Sequence, residues 1–307
     1  MGLLRFAVAA AAISAFSILG CDTTFDPPPH SGESALADAK AQVAMGPRVP
    51  GTPAHREARA WIVSRLEETG AVPTVQAAAD TSFPVAGVDT LYNVHARFGP
   101  ESGPYLILGA HYDTRPWADQ DPDPALHETP VPGGNDGASG VGVLLEVARV
   151  LARRPPPLGV VLAFFDGEDA GRSDRPEDFC RGSRAFVRRL PHPYPLHVVI
   201  VDMVGRPGAA FHPEGNSQRA VPSLVDRLWS GAGKVGADSF QEGVRHFVYD
   251  DHVPFIEAGI PAADIIDLDD PLWHTTRDDA DNLDAGTMEG VIRVLLWHVY
   301  TLEVDLP

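Results

Sequence analysis

What limits the fold of this chain most is an alternation of two kinds of segment: short runs that are apolar throughout, and longer stretches with apolar residues at helical spacing. Tyr105-Leu106-Ile107-Leu108-Gly109-Ala110 is the clearest of the first kind. A strand with one wet face alternates apolar and polar residues, whereas an unbroken run calls for cover on both faces. Similar runs are Val160 to Phe165, Val198 to Val201 and Ala262 to Ile266, and Leu91 to Phe98 alternates in part. Helical stretches flank them: Ala35 to Met45, Thr52 to Gly70, Ser139 to Arg154, Ser183 to Leu190, Pro222 to Ala232, Asp251 to Ala258 and Ala285 to Leu302. In the second of these Thr52 is placed to cap, Pro53 takes the first helical position, Ala60, Ile62, Val63 and Leu66 supply an apolar side, and Gly70 stops the helix. The expectation is an α/β fold in a single domain, with a mixed, mainly parallel central sheet and helices on both faces.

The first twenty residues have the form of an export signal: Arg5 in the n-region, an apolar stretch from Phe6 to Leu19, and Gly20 before Cys21. Ile18-Leu19-Gly20-Cys21 resembles a bacterial lipobox, with Leu19 larger than the residue usual there, and implies lipidation of Cys21. The chain is therefore expected to be exported and to face the periplasm as a cell-envelope lipoprotein held to the membrane by a lipid anchor, or else to be secreted. Residues 21–34, with Pro27-Pro28-Pro29, read as a stiff tether, and residues 35–307 as one folded unit. Of the two cysteines only Cys180 lies in that unit, so no intrachain disulfide is expected; a lone cysteine without an activating neighbour reads as a small buried hydrophobe. The formal charge of −18 argues against nucleic acid as a partner and allows a preference for cationic or amine-bearing substrates.

In doubly covered sheets the ligand crevice lies beyond the carboxyl ends of the strands. The polar clusters fall there: His111-Tyr112-Asp113 after the run from Tyr105, Asp166-Gly167-Glu168-Asp169 after the run from Val160, and Asp202 after the run from Val198. Asp136 sits in the glycine-rich Pro132 to Gly140 turn that enters a helix, where an Asp can also be simply a cap. Asp166, Glu168 and Asp169 repel one another unless a cation or a shared proton compensates. Together with Trp273-His274-Thr275 these clusters supply two carboxylates and an imidazole able to hold one zinc ion, with Glu168 as a spare carboxylate to move protons.

These blocks resemble the zinc-dependent aminopeptidase superfamily and, within it, the glutaminyl cyclases (glutaminyl-peptide cyclotransferases) of the animal and Bacteroidetes type. The matching segments are His111 to Asp123, Asn135 to Gly140, Phe164 to Asp169, Asp202 to Gly205, Asp250 to Phe255 and Trp273 to Thr275, in the family's order, and the likeness runs from about Ala35 to the C-terminus. It implies one zinc held by Asp136, Asp169 and His274, Glu168 as the acid/base, Asp202 and Asp251 in a hydrogen-bond network around it, Trp273 lining the glutamine pocket, and a cis peptide between Asp136 and Gly137. Peptide or protein N-termini are the implied substrate: Glu168 takes a proton from the α-amine of an N-terminal glutamine, the amine closes a lactam on the zinc-polarised γ-carbonyl carbon, and the proton leaves with ammonia. Asp169 stands where many animal members have Glu. The ligand inventory leaves a second enzyme open, a two-zinc aminopeptidase or carboxypeptidase in which Asp136 bridges, His111 and Asp202 hold the second ion and Glu168 activates water. A lipid-anchored binding ectodomain without catalysis is a third.

Overall fold

The computed structural model describes residues 25–172 and 174–303. The expected export signal and the expected lipidation site, Cys21, lie outside the described residues. A six-stranded sheet carries the fold, in the order β1-β2-β4-β3-β5-β6. Its strands are β1 (Thr74–Ala79), β2 (Thr90–Phe98), β3 (Tyr105–His111), β4 (Gly159–Phe165), β5 (Val198–Asp202) and β6 (Ala262–Ile266). β3 to β6 run parallel, and β2 runs antiparallel to both its neighbours, β1 at the edge and β4, so the sheet is mixed as expected. β1, with a largely exposed Thr-Val-Gln-Ala-Ala-Ala sequence, lacks the apolar signal that marks the others.

The unbroken apolar runs are explained by the pleat. Leu106, Leu108 and Ala110 of β3 join one core, while Tyr105 and Ile107 join the other. β4 divides likewise, Val160, Leu162 and Phe164 to the first side and Ala163 and Phe165 to the second. The larger core is closed by α1 (Gly32–Ala44), α3 (Gly140–Arg153) and α8 (Ala285–Thr301), with α2 (Pro53–Glu68) and α6 (Pro222–Val235) beside them. The smaller is covered by α4 (Arg181–Val187) and α7 (Val253–Glu257), whose Phe186 and Phe255 pack on Phe165; α5 (Gly215–Ala220) packs on β6 and α6. Each fully buried Leu, Ile or Phe contributes about 1.5–3 kcal/mol. Gly109 is required in β3 because a Cβ there would stand 2.6 Å from the Phe165 ring and 2.7 Å from Ile200.

Two boundaries differ from the sequence reading. Helix α1 begins at Gly32, before Ala35, because Ser31 extends and its Oγ accepts from Ser34 N at 3.2 Å. Phe25 stacks on Tyr300 and Ser31 N donates to Glu146 at 3.0 Å, so the end of the proline-rich stretch is docked on the domain. In α2 Thr52 caps as expected, but the buried face is His55, Ala58, Ile62 and Leu66, and Ala60 is exposed.

The topology fixes where a ligand can bind. From β3 the chain passes through α3 to β4 on one side and then through α4 to β5 on the other, so the connections part at the carboxyl end of β3. His111 ends β3, Asp166 follows β4, Asp202 ends β5, and Asp267 follows β6.

Candidate active site

Asp136 is delivered by a turn that only glycine permits. Gly133 has φ +66 and Gly137 φ +96, and a Cβ on Gly137 would lie 2.7 Å from the carbonyl oxygen of Asp113. The turn is pinned from below by Arg48, fully buried, whose guanidinium donates to the carbonyls of Tyr112, Pro132 and Gly133. Asp278 pins it from above, accepting from Asn135 N at 2.7 Å and Asp136 N at 3.1 Å. The Asp136–Gly137 peptide is trans, contrary to the expected cis bond; the one cis peptide among the described residues is His192–Pro193. Gly137's positive φ turns the chain instead.

After β4 the three acids part company. Asp166 turns away from the site, 2.8 Å from His55 Nε2 and accepting from Tyr92 N at 2.7 Å, so it joins α2 to β2. Glu168 and Asp169 face the cavity, their backbone N–H groups held by the two oxygens of buried Asp113 at 3.1 and 3.3 Å. Asp169 Oδ1 accepts from Arg115 Nη1 at 2.8 Å, and its Oδ2 is buried without a hydrogen-bond partner among the described residues.

His274 comes from the loop after β6 with φ +57, a rare backbone state for a non-glycine residue. Its Nε2 lies 3.3 Å from Asp169 Oδ1 and 3.7 Å from Asp136 Oδ2, and Trp273 stacks on the imidazole with ring centroids 3.8 Å apart. Asp136, Asp169 and His274 thus converge, with one donor atom from each within 4.8 Å of the others. Two oxygens, one imidazole nitrogen and an orphaned carboxylate oxygen make a donor set that fits zinc. Burial opposes charge on His274, yet Asp169 and Asp119 outweigh it and push the imidazole up to about 9. Burial, with repulsion from Asp169, raises Asp136 to about 6.

Behind this triad stands a second group. His111 Nε2 is 3.1 Å from both Asp136 Oδ1 and Asp202 Oδ1, and its Nδ1 is 3.5 Å from Asp113. Among the described residues no cationic side chain forms an ion pair with Glu168. Burial first, then repulsion from Asp169, Asp250 and Asp251, holds its carboxyl well above the usual range. Of the acid pair before α7, Asp250 lines the cavity with Glu168, Asp202 and Trp273, while Asp251 is fully buried. Cys180 is indeed buried, and its Sγ stands 3.4 Å from Glu168 Oε1.

The sequence reading does not single out Arg48, Arg115, Asp119, Asp250 or Asp278. Asp250 could have been found as the neighbour of Asp251. The arginines carry no local signal, because their partners lie 54 or more residues away or, as with Asp119, were themselves unmarked.

Comparisons with known proteins bear on this site. The sequence pattern of peptidase family M28 matches residues 93–298. The chain is 28% identical over 284 residues to a glutaminyl-peptide cyclotransferase of Drosophila melanogaster, covering 84% of this chain and 77% of that one. A solved glutaminyl cyclase of Bacteroides thetaiotaomicron, crystallised with N-acetylhistamine, superposes with a TM-score of 0.86 at 34% identity, covering 91% of this chain and 100% of that one. A leucine aminopeptidase precursor from the same species superposes with a TM-score of 0.87 at 34% identity, covering 91% and 99%. The matched sequence blocks, the α/β sheet and the converging acids therefore have one source: the chain belongs to peptidase family M28, among its glutaminyl cyclases.

Proposed function

We propose that this protein is a glutaminyl-peptide cyclotransferase that converts the N-terminal glutamine of peptides to pyroglutamate with release of ammonia. The observation that carries the reading is the placement of Trp273. Its ring stacks on His274 and lines the same cavity as Glu168 and Asp169, so a flat apolar wall stands beside both the metal donors and the proton carrier. One zinc per chain is the reading that the Asp136, Asp169 and His274 set supports; bound there, it would polarise the side-chain carbonyl of the glutamine.

The chain's own residues do the rest. Glu168 takes a proton from the substrate α-amine, whose lone pair forms the new C–N bond to the side-chain carbonyl carbon. The old C–N bond breaks, and the same carboxyl returns the proton to the departing ammonia. A carboxyl with raised proton affinity suits both transfers, and repulsion from Asp250 and Asp251 supplies part of that affinity. Trp273 and Phe179 cover the cavity with apolar surface and hinder water, which has no part in the reaction.

The grouping of His111 with Asp136 and Asp202 favours one second reading, a two-ion peptidase using Glu168 to activate water. Incubating the enzyme with Gln-peptides and Leu-peptides and weighing the products separates the two. Ammonia loss from Gln-peptides with intact peptide bonds supports the cyclase; free amino acid without ammonia overturns it. We further propose export and a lipid anchor at Cys21, motivated by Arg5, the apolar stretch after it and Ile18 to Cys21. Mass spectrometry finding an unmodified Cys21 or an intact Met1 terminus would remove that part alone.

A further inference from the structure

We propose that Arg115 and Asp119 form a clamp that sets the positions of two of the three metal donors, Asp169 and His274, and fixes which imidazole nitrogen of His274 is free to bind. The inference rests on Asp136, Asp169 and His274 being the donors. Arg115 is 2% exposed and spends four of its N–H groups in one plane. Nε and Nη2 donate to the two oxygens of Asp119 at 2.7 and 2.8 Å, a bidentate pair, and Nη1 donates to Asp169 Oδ1 at 2.8 Å and to the Asp169 carbonyl at 3.2 Å. The same Asp119 Oδ1 that accepts from Arg115 lies 3.5 Å from His274 Nδ1.

The consequences follow from geometry. A carboxylate beside Nδ1 favours the tautomer with its proton there, leaving the lone pair on Nε2, which is the nitrogen that faces Asp136 and Asp169. With one Asp169 oxygen engaged by Arg115, the other, Oδ2, is left without a partner. The clamp is itself held rigid. The guanidinium carbon stands 5.7 and 5.6 Å from the ring centroids of Trp117 and Phe179. The segment bearing Asp119 is tied to the His274 loop by Gln120 N donating to His274 O at 3.2 Å and by Asp121 Oδ2 accepting from Thr276 N at 3.0 Å. Lysine could supply the charge of Arg115 but neither the fork nor the stacking plane.

The test is the zinc affinity of the whole enzyme, measured by competition against a chromophoric chelator, with turnover recorded in parallel. Asp119 is partly exposed, so Asp119→Asn should fold; it keeps the size but turns an amide toward Arg115 or His274. Its zinc Kd should rise about 10–100-fold. Arg115→Lys should rise by a similar factor, and the double variant by much less than the product of the two, since each breaks the same clamp. In the side-chain ¹⁵N spectrum of zinc-loaded protein, His274 should show a proton on Nδ1 that is lost or shifted in Asp119→Asn. A wild-type Kd in Asp119→Asn, with the ion lost in His274→Ala, overturns the clamp alone. Full zinc binding in His274→Ala overturns the donor assignment and the clamp with it.

Discussion

Replacing Glu168 by Gln should lower activity and raise the stability of the ion-free protein, and the structure gives a reason for each sign. Glu168 is 7% exposed, pairs with no cationic side chain among the described residues, and sits among Asp169, Asp250 and Asp251, with the Cys180 thiol 3.4 Å from its Oε1. Glutamine reproduces the shape of the protonated acid and cannot ionise. Turnover loses a proton carrier, about 10²–10⁴-fold, or roughly 3–5 kcal/mol on the barrier. Stability moves the other way. A carboxyl whose folded pKa is raised contributes fully below its unfolded value near 4.5 and loses that contribution as pH climbs through the folded value. The variant lacks that loss, so its advantage should grow from pH 5 to pH 8. The assay is denaturant unfolding of chelator-treated wild type and variant at both pH values, with zinc content and Gln-peptide turnover measured on the loaded proteins. A variant less stable than wild type at pH 8, unable to take up zinc, or within tenfold of wild-type turnover would refute the reasoning.

Two other predictions concern the frame. Gly137→Ala forces a side chain onto φ +96 and places its Cβ 2.7 Å from the Asp113 carbonyl oxygen; strain and overpacking together should cost about 2–5 kcal/mol, read by equilibrium unfolding, and wild-type stability would contradict it. His197 and His298, Nε2 to Nε2 at 2.7 Å, are kept neutral chiefly by burial, which holds His197 down to about 4 and His298 well below the usual histidine range. Their stabilising contribution is present above pH 6.5 and lost as pH falls toward 4, about 3 kcal/mol from His197 alone. His298→Leu should flatten the fall in stability between those pH values relative to wild type; an unchanged slope would sink the assignment.

The sequence by itself determined the buried strands of the central sheet and picked out Asp136, Asp169 and His274, which the fold brings together as a candidate donor set. Runs such as Tyr105 to Ala110 can be buried on both faces only in a covered sheet, and the acids at their ends had to fall on the crevice side because parallel strands share one carboxyl edge. Asp136, Glu168, Asp169 and His274 were legible because each sits in a short block of recognisable order. β1 was not, since an exposed edge strand needs no apolar pattern. The division of labour within acid groups also waited for the fold: the sequence cannot show that Asp166 serves His55 and Tyr92 while Asp169 faces the cavity, or that Asp250 lines the site with Asp251 behind it. Only tertiary structure decided Arg48, Arg115, Asp113 and Asp278. Their partners are backbone groups and carboxylates on other loops, and a side chain's role there depends on direction and distance in space, which no local pattern records.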